Sequence, residues 1–155
     1  MAEDRKGGNH GHGPDLRARY AERNLNSLFS KGRAGDREEG MEKDILFLLA
    51  PGFEDNDRRE YCPECAEMWG VLSYYPAILE AVDIRYQSIA KPRPDLVNLL
   101  GAGNENCPTL VLAEGQDAGP HVRVKENQGQ RFLNNVRDIG KYFAHRYGTP
   151  FPRGS

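Results

Sequence analysis

Hydrophobic positions are unevenly spread along this chain of 155 residues. Up to residue 43 they are sparse and interrupted by glycine, asparagine and charge; from Asp44 they gather into short runs with regular spacing. The first run, Ile45-Leu46-Phe47-Leu48-Leu49, is continuous and short, the pattern of a strand covered on both faces. Pro51-Gly52 ends it, and the polar stretch from Phe53 to Tyr61 reads as a loop. Cys65, Met68, Trp69 and Leu72 then recur at helical spacing, with Pro63 in the first turn, where proline is favoured. Pro76 predicts a kink or break, after which Ile78, Leu79 and Val82 carry the helix on.

Asp83 to Ile89 alternates as a second strand, with Ile84, Tyr86 and Ser88 on one face. Lys91-Pro92-Arg93-Pro94 punctuates the chain, and Asp95 to Leu100 predicts a short helix stopped by Gly101. Thr109-Leu110-Val111-Leu112 is the third expected strand, Gly115 to Pro120 a turn, and Val122-Arg123-Val124 the fourth strand. A last helix from about Asn134 to His145 would bury Val136, Ile139, Tyr142 and Phe143. The order β-α-β-α-β-β-α implies an α/β domain over residues 43–148, with a mixed four-stranded sheet and helices on both faces. Residues 1–42 read as a disordered or weakly helical extension, with one short helix from Arg17 to Phe29, and residues 149–155 as a tail.

Composition narrows the functional classes. Hydrophobic residues make up 38% of the chain and mean hydropathy is −0.73, in keeping with an unstructured portion. A net charge of −2 argues against nucleic acid or an anionic membrane as partner, since both call for a basic surface. No apolar run approaches the roughly 20 residues needed to span a bilayer. The charged start lacks the apolar core of a secretion signal, so the expected address is the cytoplasm. The pattern specifies no oligomeric state.

In a reducing compartment, a close cysteine pair points to redox chemistry or metal binding before a structural staple. The pair here is Cys62-Pro63-Glu64-Cys65, at the opening of the first helix. A helix N-terminus presents free N–H groups and the positive end of its dipole, and a thiol held there loses its proton more readily. Residues at i and i+3 share a helix face, so a disulfide between Cys62 and Cys65 is geometrically natural. Arg58 and Arg59 favour the thiolate, while Glu60, Glu64 and Glu67 oppose it. An inert buried pair and a metal site stay open as alternatives; with Cys107, three thiolates and one further ligand or water would suit zinc.

Other candidates are weaker. His10 and His12 are two flexible imidazoles, and His121 and His145 lack metal-ligand spacing. Glu54-Asp55-Asn56-Asp57 has the composition of calcium ligands, but it lacks the glycine and terminal glutamate of an EF-hand loop. Trp69 falls at core spacing, and Arg93, between two prolines, is either solvated or paired with a ligand carboxylate or phosphate.

The element order, with Cys-x-x-Cys after the first strand and Pro108 opening the third, resembles the thioredoxin-like fold over roughly Asp44 to Gly148. Cys62-Pro63-Glu64-Cys65 is similar to the Cys-Pro-x-Cys of glutaredoxins, where the first cysteine attacks and the second resolves. Leu99-Leu100-Gly101 through Cys107-Pro108-Thr109-Leu110 resembles the glutathione-binding domain of glutathione transferases, as do Ile139, Tyr142, Phe143, Tyr147 and Gly148. Where transferases hold glutathione with an acidic-serine pair, this chain has Asn135 and Val136, and no all-helical second domain follows within the 155 residues. Transferase activity of the usual kind is therefore not expected. From Met41 onward the chain also resembles a family of bacterial proteins known only as a domain of unknown function with this fold.

The resemblance implies a cis Pro108 facing the active-site cysteines, which brings Cys107 near Cys62 and allows a competing disulfide. It implies a small thiol–disulfide oxidoreductase acting on protein disulfides or with glutathione as co-substrate. Cys62 would attack, Cys65 or Cys107 would resolve, and Pro108, Tyr61 and Arg93 would shape the substrate groove. A non-catalytic binding domain of the same fold, and a zinc-binding variant on Cys62, Cys65 and Cys107, are the competing readings.

Overall fold

The computed structural model describes residue 41 and residues 43–155. The expected Arg17–Phe29 helix and both early histidines lie outside the described residues. The chain forms β1 (Asp44–Leu49), β2 (Phe53–Asp55), β3 (Arg58–Glu60), α1 (Pro63–Tyr74), α2 (Pro76–Ala81), β4 (Val82–Gln87), α3 (Pro94–Leu100), β5 (Thr109–Val111), β6 (Lys125–Asn127), β7 (Gln130–Leu133) and α4 (Val136–Tyr147). It is an α/β fold built on a mixed five-stranded sheet in the order β4-β1-β5-β7-β6.

β1 lies inside that sheet, which is why its sequence is continuously apolar. It pairs in parallel with β4, from Asp44 opposite Val82 to Leu49 opposite Gln87. On its other side it runs antiparallel to β5, with Leu46 opposite Leu110. Ile45, Leu46, Phe47 and Leu48 are all buried. Successive strand residues point to opposite faces, so four in a row can be buried only where both faces are covered. Leu110 and Leu133 continue the core across the β5–β7 pair.

The sheet has one strand more than the sequence suggests, and the fourth expected strand is misplaced. Val122-Arg123-Val124 forms no ladder; Val122 and Val124 pack their side chains on the core from a loop. The chain reverses instead through β6 and β7. Gln128 and Gly129 both have positive φ, 49° and 73°, the condition for a type I′ turn whose twist matches the strands. β6 is exposed throughout, so no apolar periodicity could announce it.

The Phe53–Tyr61 segment is likewise a hairpin, β2 against β3, and not a loop. Asn56 and Asp57 turn it at φ 50° and 56°, a conformation that asparagine and aspartate tolerate better than most residues. The acidic residues that resemble calcium ligands in composition are thus occupied in a tight turn.

α1 buries Cys65, Met68 and Leu72, and Pro76 divides it from α2. Proline has no N–H to donate to the preceding turn, so the first helix must end there. α4 opens on Asn135, whose side-chain oxygen accepts the Asp138 N–H at 2.9 Å, and closes on Gly148 at φ 70°. The residues expected to be a tail lie across this helix. A Cβ at Gly140 would stand 2.5 Å from Pro152 Cγ, so glycine is required where the chain folds back. Among the described residues, no helix is long and apolar enough to cross a membrane.

Candidate functional site

Cys62 is the N-cap of α1, with an extended backbone (φ −79°, ψ 116°), and Pro63 stands in the first turn as its spacing predicts. A sulfur therefore occupies the place that an oxygen usually fills at a helix start. It accepts the N–H of Cys65 at 3.2 Å. The Cys65 sulfur, one turn on, accepts the N–H of Leu49 at 3.4 Å, which ties the helix start to the end of β1.

The third thiol comes from the loop before β5. The Cys62 S–H points at the Cys107 carbonyl, 3.9 Å away, and the Cys107–Pro108 bond is cis, as the resemblance implied. Thr109 Oγ1 donates to the Asn106 carbonyl at 2.8 Å. The Asn106 side-chain amide donates to the Asn134 carbonyl at 3.0 Å, which holds this loop against the start of α4. Cys62, Cys65, Cys107 and Pro108 thus meet where the ends of β1 and α1 face the loop into β5. All three cysteines are free thiols.

Their environments differ. Cys65 is 4% exposed and Cys107 5%, while Cys62 is half-buried. Burial pushes the Cys65 thiol well above the usual range; its contact with Cys62 adds to the shift, and the Leu49 N–H opposes it. Burial raises Cys107 to about 11, the positive charges of Arg93 and Lys91 pull it back, and Cys62 adds to the rise. At neutral pH both deep cysteines are protonated. Cys62 is the sulfur that a ligand can reach.

Of the expected groove residues, Tyr61 is at the surface. It precedes Cys62 and is 64% exposed. Arg93 does not sit as a groove residue would. It is 5% exposed, with its guanidinium donating to the carbonyls of Ser88 at 2.8 Å, Ile89 at 3.0 Å and Glu105. Its backbone N–H also donates to the Glu105 carboxylate at 2.6 Å. The arginine is a brace inside the loop, and its charge reaches the site through Cys107. A sequence could not reveal this, because the acceptors are mostly backbone carbonyls, which every residue type carries. Trp69 is half-buried and packs on the core, as its spacing suggested.

Among the described residues, no group of three or more His, Cys, Asp or Glu side chains is arranged to hold a metal ion. His145 is paired with Asp117 at 3.2 Å, and His121 stacks edge-on with Phe151.

The sequence profile of one family, described as a protein of unknown function (DUF3088), matches residues 43–151. The match begins where the regular elements begin and extends beyond α4 into the segment that folds back over it. No curated protein and no solved structure matches the chain.

Proposed function

Since the chain belongs to the DUF3088 family, whose description names no activity, we propose a function from its own geometry: a thioredoxin-like thiol–disulfide exchange protein with Cys62 as the attacking thiol. The strand order, with β1 and β4 parallel and β5 and β7 antiparallel to their neighbours, supports the thioredoxin-like reading; β6 adds an outer strand. The single observation that carries the function is the position of Cys62. It is the most accessible of three converging thiols, and it caps a helix with a backbone N–H on its sulfur.

The Cys62 thiolate attacks one sulfur of a substrate disulfide, forms a mixed disulfide and releases the other substrate thiolate. Cys65 or Cys107, once deprotonated, attacks the Cys62 sulfur and expels the second substrate thiolate. Two electrons pass to the substrate, and the protein retains a disulfide between Cys62 and the resolving cysteine. Two equivalents of glutathione return it to the dithiol form, and a reducing cytoplasm would supply them.

Mass spectrometry across a graded glutathione redox buffer tests this. Disulfides containing Cys62 are expected at oxidising poise, and their absence at every poise overturns the reading. The depth of Cys65 and the rise in its proton affinity favour one competitor, a binding domain that keeps the fold without turnover. That protein would reduce neither glutathione disulfide nor insulin, and Cys62→Ser would leave its partner binding intact. The zinc-binding reading is not favoured by the geometry: among the described residues, Cys62, Cys65 and Cys107 do not form a group arranged to hold a metal ion.

A further inference from the structure

The two outer strands of the sheet are guarded to different degrees. β6 has three residues, all exposed, and two of them are Lys125 and Glu126. β4 has six residues and no proline, and its register with β1 runs without a bulge from Val82 to Gln87. Shortness, prolines, bulges and charge are what keep a sheet edge from pairing with another chain. β4 has only the last of these, as one residue of each sign, Asp83 and Arg85. Among the described residues, no strand pairs with its outer side.

The register fixes which backbone groups face outward. The Gln87 carbonyl accepts the Ala50 N–H at 3.0 Å. Asp83, Arg85 and Gln87 therefore turn their backbone groups toward β1, while Val82, Ile84 and Tyr86 turn theirs away. Ile84 is the middle of the outward set.

We propose that two copies of this chain join at β4, antiparallel about a two-fold axis through Ile84, so that their sheets become one. Ile84 then exchanges both backbone hydrogen bonds with the partner's Ile84. Val82 falls opposite the partner's Tyr86, on the side where both already pack on the core. On the other face Asp83 falls opposite the partner's Arg85, and Arg85 opposite the partner's Asp83. Charge singles out this register. A slip of two residues one way sets Asp83 against the partner's Asp83, and the other way Arg85 against the partner's Arg85; like charges directly opposite destabilise a sheet. Within one chain the two side chains meet at 2.9 Å and stay 40% and 46% exposed, so a second copy can reach both. The interface does not depend on the thiol chemistry.

Sedimentation equilibrium of the full chain tests the proposal. A species of twice 17.4 kDa is expected to grow with concentration. Arg85→Asp and Asp83→Arg each turn both cross-strand pairs into repulsions, so each should raise the dimer dissociation constant by about tenfold or more. The double variant, Asp83→Arg with Arg85→Asp, restores opposite charges and should dimerise as the natural chain does. Should a single variant fail to fold, hydrogen exchange on the natural chain gives a second reading: the Ile84 amide should exchange more slowly as concentration rises. The proposal falls if the chain stays monomeric up to about 1 mM, the weak end of specific association. It falls equally if a dimer forms that the single charge reversals leave unchanged, or if exchange at Ile84 is indifferent to concentration.

Discussion

The two ends of β1 meet the protein interior in different ways. At the start, Asp44 is buried and both its oxygens are engaged, by the Ala113 N–H at 2.8 Å and the Tyr142 hydroxyl at 2.5 Å. At the finish, the Leu49 N–H has a sulfur for its partner, a weak acceptor. The first end binds β1, the loop just after β5 and α4 into one unit through short hydrogen bonds. The second leaves three thiols with partners that can be given up at low cost. The proposed thiol–disulfide exchange would draw on that looseness, and on a neighbouring scaffold that does not move with it.

The sharpest test of the contrast is Cys62→Ser. It should abolish mixed-disulfide formation, read by mass spectrometry, while leaving the urea unfolding free energy within about 0.5 kcal/mol. A stability loss of several kcal/mol would mean that the thiol end is also structural. Asp44→Ala is the converse, leaving a buried tyrosine hydroxyl and a backbone amide unpaired. A loss of about 3 kcal/mol is expected on urea unfolding, with no change in the alkylation rate of Cys62. If that rate moved, the two ends would be coupled.

Alkaline pH should reach both ends. Burial holds Tyr142 above its ordinary value, helped by its bond to Asp44, and raises Cys107 from 9.0 to about 11. The folded state therefore keeps protons that the unfolded chain releases. That contribution is complete below pH 9.0 and is lost as pH rises through about 11 for Cys107, with Tyr142 extending the loss further. Stability measured from pH 8 to 11 should fall, and Cys107→Ala should flatten the first part of the fall; an unchanged slope would count against the buried-thiol account. The smallest effect is expected at Tyr61. Tyr61→Ala should slow reaction with a peptide disulfide by less than about tenfold, an exposed aromatic contact, and leave a small disulfide unaffected. Equal slowing of both would place Tyr61 in the chemistry instead of the groove.

What was legible in the sequence followed from how directly a segment's environment is written into its residues. β1 was visible because burial on both faces demands an unbroken apolar run, and α1 because Pro63 and Pro76 bracket it. The meeting of Cys62, Cys65 and Cys107 came from the family resemblance, since no spacing rule joins residues 62 and 107. The β6 strand was invisible because Lys125-Glu126-Asn127 faces solvent and owes its form to pairing with β7. Its one local clue is the glycine after Gln128, a fainter signal than the two valines upstream. Arg93 misled for a different reason. Between prolines it looks solvated, yet its acceptors are mostly backbone carbonyls brought near by the tertiary fold.

The β2–β3 hairpin has a consequence for how such a protein can diversify. It occupies the connection between Leu49 and Cys62, but strand and helix are already joined behind it by Cys65, Met68 and Leu72, buried in the core that β1 shares. The hairpin's length is therefore free to change without re-aiming the thiols, and doubling a flexible connection costs only about 0.6 kcal/mol in closure entropy. Its outer end is solvent-exposed and its inner end runs directly into Tyr61 and Cys62. That makes it a natural graft point: a different arm could be exchanged there to change what the Cys62 sulfur meets while the scaffold beneath stays as it is.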